Sequence, residues 1–439
     1  MRKLLDTQAV KNAFIFVKWV LIALLVGGIV GLAGTAFGYA VHLCTQIWNR
    51  HAWTLYLMPL AGVMIVWLYA MARQQKCQGT DAVLDAAADK GGVPGVLAPL
   101  IAGSTVLSHL TSASVGREGA ALQLGGSLAA VVGRLLQLSP GDKRVCVMCG
   151  MGAGFAALFG TPLTACLFAM EVFSVGTVQL YALLPCALSS LLASSISAGL
   201  GLAAERFPVS HAAFNAGMAL PLAVVAVACA LVGMLMCLTL HKSTALFKRF
   251  APNPYVRALM GSALFIAITL LSHSRDYNGA GMALIGRCFA GEAVMPWAFL
   301  VKLLFTAVAL GAGFKGGEIV PALCVGATLG YALALPLGLS PQLATAVGMA
   351  CLFVSVTNCP LASLLMACEL FGFEGAPCYA LAIAVSFALS GHAGLYHSQR
   401  FACENLPDMP WAMPADDFRV VAKTRRFPLA FRFRIPYNR

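Results

Sequence analysis

Charge is what this sequence has least of. Only 10% of its 439 residues are Asp, Glu, Lys or Arg, against about 25% in a soluble domain. Acidic residues are the scarcer kind, 17 against 29 basic ones. So little charge excludes an ordinary water-soluble fold, and 60% hydrophobic residues with a mean hydropathy of +0.83 indicate a polytopic membrane protein. The apolar–polar alternation in segments of roughly ten residues that a membrane barrel needs is missing too, so the spans are read as helices. Metal-ligand spacing, a nucleophile beside a base and a phosphate-cradling loop are also lacking. That argues against an enzyme and gives no cofactor or metal to expect. Cysteine is not scarce, at 15 residues, but most lie in apolar runs where a thiol behaves as a small hydrophobe, so no disulfide framework is inferred. The lone Cys146-x-x-Cys149, with no second pair at ligand spacing, reads as helix packing. The net charge of +12 fits loops facing anionic lipid rather than nucleic acid.

The polar start, residues 1–12, carries Arg2, Lys3 and Lys11. The apolar run over 13–41 is too long for a signal-peptide core and ends in no clear cleavage site. Further apolar runs are broken by Gly, Pro and Ser, and several are shorter than the roughly 20 residues a full span needs. A basic loop is expected over 240–257, with Lys242, Lys248, Arg249 and Arg257, and a basic tail over 403–439, too short for a soluble regulatory domain. By the excess of Lys and Arg on cytoplasmic loops, both termini are expected inside.

The organising stretch is 113–126, where Gly116-Arg-Glu-Gly-Ala120 sets two charges between glycines. An ionised side chain in hydrocarbon costs several kcal/mol and survives mainly at a cavity, an ion path or a partner. Glycines let a helix start abruptly with bare N–H groups and a positive dipole end, a ready anion site. Glu118 would then be a tethered anion that occupies the place of a free one and leaves when protonated. The alternative is a surface loop in which Arg117 and Glu118 pair in water.

A self-comparison favours the anion site. Thr161-Pro-Leu-Thr-Ala-Cys-Leu-Phe-Ala-Met-Glu-Val-Phe173 matches Cys359-Pro-Leu-Ala-Ser-Leu-Leu-Met-Ala-Cys-Glu-Leu-Phe371 at an offset of 198 residues, and Gly116 matches Gly317 at 201. Two membrane repeats, 13–205 and 206–402, are therefore expected. Paired glycine-interrupted segments in two repeats point to a mid-membrane site built from broken helices.

On these residues the chain resembles the CLC family of anion channels and anion/proton antiporters. Gly116-Arg-Glu-Gly-Ala120 matches the family's Gly-x-Glu-Gly-Pro motif with Ala120 for the proline. Gly317-Glu-Ile-Val-Pro321 matches the second half's Gly-x-x-x-Pro, and Tyr396 falls at the anion-coordinating tyrosine. The resemblance implies an all-α protein of two inverted-topology repeats of broken, tilted helices. It also implies a homodimer in the cell inner membrane, with halide (chloride or fluoride), protons and the bilayer as partners. Carried over, Glu118 is gate and proton carrier, and Gly116, Arg117, Gly119, Ile319, Val320 and Tyr396 line the anion site.

Three departures bear on the transported ion. The first anion-site motif, Gly-Ser-Gly-Ile-Pro in the family, reads Gly79-Thr-Asp-Ala-Val83, so Thr80 supplies the only hydroxyl there. Val172 replaces the proton glutamate of chloride exchangers, as in passive channels and in fluoride/proton antiporters. Gly313-Phe-Lys-Gly-Gly-Glu318 and Tyr181-Ala-Leu-Leu-Pro185 resemble the fluoride branch, while Val320 stands where that branch has threonine.

The leading expectation is fluoride/proton antiport through Glu118; the second is chloride transport, by a passive channel or an exchanger. Glu171 and Glu369 are expected to cap or bridge helices rather than carry protons. Glu318 neighbours the second anion helix and stands evenly between holding Lys315 or Arg117 and a functional role; His392 and His397 flank Tyr396, and Lys302 is expected to snorkel to an interface.

Overall fold

The computed structural model describes residues 8–75, 79–88, 92–202, 204–207, 209, 214–391 and 393–401. The expected tail over 403–439, residues 1–7 and His392 lie outside them. Sixteen α-helices occur among the described residues, and they divide into two sets of eight. The first comprises α1 (Gln8–Arg50), α2 (Met58–Met71), α3 (Thr80–Ala87), α4 (Leu97–Leu110), α5 (Glu118–Leu135), α6 (Pro140–Phe159), α7 (Pro162–Glu171) and α8 (Leu183–Gly199). The second comprises α9 (Ala216–Phe250), α10 (Pro254–Leu271), α11 (Met282–Ala290), α12 (Ala298–Ala312), α13 (Ile319–Ala334), α14 (Pro341–Thr357), α15 (Pro360–Phe371) and α16 (Ala376–Ser390).

The sets match element by element. In the first, α1 packs on α6 and α8 and α5 lies against α6; in the second, α9 packs on α14 and α16 and α13 lies against α14. The starts match too. Ser139 Oγ accepts from Asp142 N (3.3 Å) before Pro140, and Ser340 Oγ accepts from Leu343 N (3.3 Å) before Pro341. A hydroxyl cap followed by proline, whose missing N–H costs nothing at a helix start, fixes both boundaries. Gly125 against Gly150, and Gly326 against Gly348, meet backbone to backbone where any Cβ would overlap. Such glycine contacts let helices associate closely where lipid supplies no hydrophobic drive.

Six helical stretches are long and apolar enough to cross a bilayer. Their outer faces expose Phe14, Leu21, Leu60, Leu220, Leu231 and Leu264, an apolar surface that suits lipid. The 43 residues of α1 give about 65 Å at 1.5 Å per residue, twice the roughly 30 Å of hydrocarbon, so it tilts or projects. The basic stretch 240–257 is a loop only at 251–253: α9 continues to Phe250, and Asn253 Oδ1 accepts from Tyr255 N (2.9 Å) to start α10.

Across the repeats, α2 packs on α10, α7 on α15 and α5 on α13. At the α7–α15 crossing the carboxylates of the repeated motif exchange caps. Glu171, ending α7, accepts from Leu361 N (3.1 Å) and Ala362 N (2.9 Å) at the start of α15. Glu369, near the end of α15, accepts from Leu163 N (3.1 Å), Thr164 N (2.8 Å) and Thr164 Oγ1 (2.6 Å) at the start of α7. Each supplies the anion that a positive helix N-terminus favours.

Candidate anion site

Two of the broken helices start face to face. Gly116 N donates to Gly317 O (2.5 Å) and Gly317 N to Gly116 O (2.7 Å), an antiparallel bridge one step ahead of each helix. A methyl group placed on Gly119 would lie 2.9 Å from Gly317 Cα, 3.6 Å from Glu318 Oε2 and 3.7 Å from Thr80 Oγ1. The starts of α3, α5 and α13 therefore converge on one spot. Glycine is required at 116, 119 and 317 because the backbones nearly touch.

Glu118 is 1% exposed. Its carboxylate curls back over the start of α5, accepting from Arg117 N (3.0 Å) and from its own N–H. The tethered anion thus sits on the backbone donors of its helix. Arg117 does pair with Glu118 (Nε to Oε1, 3.4 Å), but in the protein interior rather than in water, its side chain 15% exposed.

The remaining expected residues fall into three groups. Ile319 and Val320, fully buried, open α13, so their amides belong to its unbonded first turn. Thr80 opens α3, and its hydroxyl accepts from Gln123 Nε2 (3.1 Å). Tyr396 is buried, and its hydroxyl has no hydrogen-bond partner among the described residues. Arg117 is the exception. Its Nη2 donates to Glu205 Oε1 (3.0 Å) and Leu158 O (3.5 Å), so two carboxylates already hold the guanidinium and only its backbone N–H serves the site. Nor does Arg117 ion-pair with Glu318 among the described residues; Lys315 Nζ lies 4.7 Å from the centre of the Tyr69 ring.

The loop bearing Tyr396 is clamped from several sides. Leu395 N donates to Val356 O (2.9 Å), Asn358 Nδ2 to Gln399 Oε1 (3.1 Å), and Gln399 Nε2 to Thr357 O (2.7 Å) and Val172 O (3.1 Å). Ser398 N donates to Asp81 Oδ1 (3.1 Å), and the His397 ring stacks on His241 at 4.2 Å. The short strands β1 (Ser174–Val175) and β2 (Arg400–Phe401) pair just beyond. Position 172 contributes a buried apolar side chain and a carbonyl, and the neighbouring Glu171 is committed to its cap.

Sequence reasoning missed Asp81, Gln123 and Glu205. Asp81 lies inside the Gly79–Val83 motif and Gln123 three residues after Ala120, a proximity that marks them for inspection. Glu205, in the turn between the repeats, carries no such signal. Lys302 corrects an expectation: it reaches no interface but is 0% exposed, donating to Ser114 Oγ (2.9 Å), Tyr277 O (2.9 Å) and Gly279 O (2.7 Å). Those acceptors, close in space, hold the ammonium inside.

Comparison with known proteins adds to this geometry. The family model described as voltage gated chloride channel matches residues 61–391. A chloride/fluoride channel protein of Pseudomonas syringae pv. tomato (strain DC3000) is 37% identical over 398 residues, 87% of this chain and 86% of that protein. The crystal structure of a CLC-type fluoride/proton antiporter aligns with a TM-score of 0.86 at 29% identity, over 90% of this chain and all of the other. A slow cyanobacterial Cl−/H+ antiporter, at 19% identity, shares the fold with a TM-score of 0.73 over 85% of this chain and 94% of its own.

Proposed function

The chain belongs to the voltage-gated chloride channel family, and from that membership we propose that it exchanges halide, fluoride first, for protons across a membrane, with Glu118 as gate and proton carrier. The carrying observation is the Glu118 carboxylate folded onto the start of α5, where the amides that hold it are those a halide would take. A halide arriving between α5 and α13 competes for these donors. A proton neutralises the carboxylate, weakens its hold on the amides and frees it to swing away. Tyr396 supports the reading as a buried hydroxyl, without a partner among the described residues, that an anion would satisfy.

Fluoride is favoured by the relatives, a chloride/fluoride channel protein and a fluoride/proton antiporter, and by Val172 in place of an inward carboxylate. With Glu171 and Glu369 used as caps, Glu318 is the second carboxylate beside the site and takes the inward proton step. One observation favours the second reading, chloride transport: Val320 offers an amide and no hydroxyl, a weak donor set for an anion as costly to dehydrate as fluoride. We extend the proposal to a homodimer in the inner membrane with both termini cytoplasmic, in line with the basic α9–α10 junction.

The test is efflux from liposomes loaded with fluoride or chloride, with external pH recorded. Fluoride efflux coupled to proton uptake, with coupling lost in Glu118→Gln while halide still moves, is the expected result. Chloride efflux at least as fast as fluoride efflux would remove the fluoride assignment. Proton pumping by Glu118→Gln at the wild-type rate would remove the role of Glu118.

A further inference from the structure

Lys302, on α12, is a fully buried lysine whose hydrogen bonds all run to neutral groups. Its three N–H donors meet Ser114 Oγ, Tyr277 O and Gly279 O. An ammonium has three donors, so it is fully hydrogen-bonded. No carboxylate lies within ion-pairing distance of it among the described residues. The stem is sealed over as well: a methyl group on Gly281, whose φ is +98°, would lie 3.0 Å from Lys302 Cε.

The acceptors place this charge beside the anion site. Ser114 stands two residues before Gly116, and its hydroxyl also bonds Thr306 Oγ1 (2.9 Å) on α12. Gly279 N donates to Ser112 O (2.8 Å), and Asn278 Nδ2 to Ser112 Oγ (3.3 Å), so one ammonium ties the loop that presents Glu118 to a loop of the second repeat. A neutral side chain would serve as well for a tie alone. Burying a cation without a counter-ion costs several kcal/mol more, so the charge itself is what needs explaining.

The surroundings supply a reason. The carboxylates of Glu118 and Glu318 border the spot where the glycines meet, and Arg117 is already shared between Glu118 and Glu205. Carboxylates outnumber cations here, so an incoming anion gains from a further positive charge nearby. Resting on the halide transport proposed above, we propose that Lys302 is a positioning residue for the transported anion, its uncompensated buried charge holding halide between the starts of α5 and α13.

The experiment measures halide flux against halide concentration for the full-length protein in liposomes, alongside its thermal midpoint in detergent. Lys302→Met should raise the half-saturating concentration about tenfold, the scale for a unit charge acting across roughly 10 Å at an effective dielectric of about 20. Lys302→Arg keeps the charge and should restore wild-type saturation. Ser114→Asp leaves Lys302 in place but gives it a counter-ion; it should raise the half-saturating concentration by a similar factor, and it decides alone if Lys302→Met does not fold. A lower maximal rate or thermal midpoint with unchanged half-saturation in both Lys302→Met and Ser114→Asp makes Lys302 a structural tie and overturns the inference while halide transport stands. Wild-type vesicles that carried neither halide would instead overturn the transport reading and this inference with it.

Discussion

Glu171→Gln swaps a carboxylate for an amide at the start of α15 while keeping its size. The carboxylate accepts from two backbone N–H groups, at 3.1 and 2.9 Å, with the residue 4% exposed. The amide offers one oxygen, so one buried N–H loses its partner, at about 1–3 kcal/mol. Losing the negative charge at a helix N-terminus adds about 0.3–1 kcal/mol. A total of about 1.3–4 kcal/mol is roughly a ten- to several-hundredfold shift in the folding equilibrium, at 1.4 kcal/mol per factor of ten. Glu369→Gln breaks the matching cap, but Leu163 beside it is 43% exposed and water can replace part of what is lost, so its cost should be the smaller of the two. The assay is the thermal midpoint of each purified variant in one detergent, with liposome flux and pH recorded on the same preparations. Both variants should melt early, Glu171→Gln earlier, with proton coupling per halide unchanged in whatever protein remains folded. A Glu171→Gln protein as stable as wild type that had lost proton coupling would refute the capping argument and make Glu171 a proton carrier.

Tyr396→Phe removes a hydroxyl that no group among the described residues bonds, so stability should not change. The half-saturating halide concentration should rise about tenfold, since a hydrogen bond to an ion is worth about 1.5–3 kcal/mol; concentration-dependent flux from liposomes checks this, and an unaltered value removes Tyr396 from the anion path. Gly125→Ala puts a methyl group into the Gly150 backbone, mid-helix on both sides, where neither backbone can yield. The variant should lose most of its monodisperse yield on size-exclusion chromatography, whereas Gly28→Ala, in open space on α1, should not.

Much of the scaffold was legible because it is written twice. The Pro-Leu motif with its terminal glutamate recurs at 198 residues and the Gly-x-x segments at 201; in the structure the former exchange caps and the latter meet at Gly116 and Gly317. Thr80, placed in the first anion-site motif by sequence, opens α3. What stayed hidden depends on neighbours distant in the chain. Arg117 is drawn off by Glu205, 88 residues away, and Lys302 finds an acceptor in Ser114, 188 residues away. In hydropathy a lone lysine in an apolar run looks the same whether it faces lipid headgroups or three buried oxygens. The reach of α9 past residue 240 was hidden for a related reason: Lys and Arg read as loop markers but are good helix formers when the helix leaves the membrane.

Repetition also separates scaffold from chemistry. Where the halves agree, the shared residue holds the fold: Ser139 and Ser340 cap, Gly125 and Gly326 admit a neighbouring helix, and Glu171 and Glu369 cap one another's helices. At the offset of 201, the charged residues of the candidate site have no counterpart of like kind: Glu118 faces Ile319 in the repeat, Arg117 faces Glu318, and Lys302 corresponds to Ile101. Two identical inverted halves would give a path whose two sides are equivalent and two equal gates. Placing one carboxylate on the start of α5, another before α13 and one buried cation on α12 breaks that equivalence inside a scaffold that keeps it. A transporter that couples movements in opposite directions needs both properties. Under the exchange proposed above, the symmetric scaffold would bring two helix starts to one anion, and the asymmetric charges would decide from which side a proton reaches the carboxylate that competes with it.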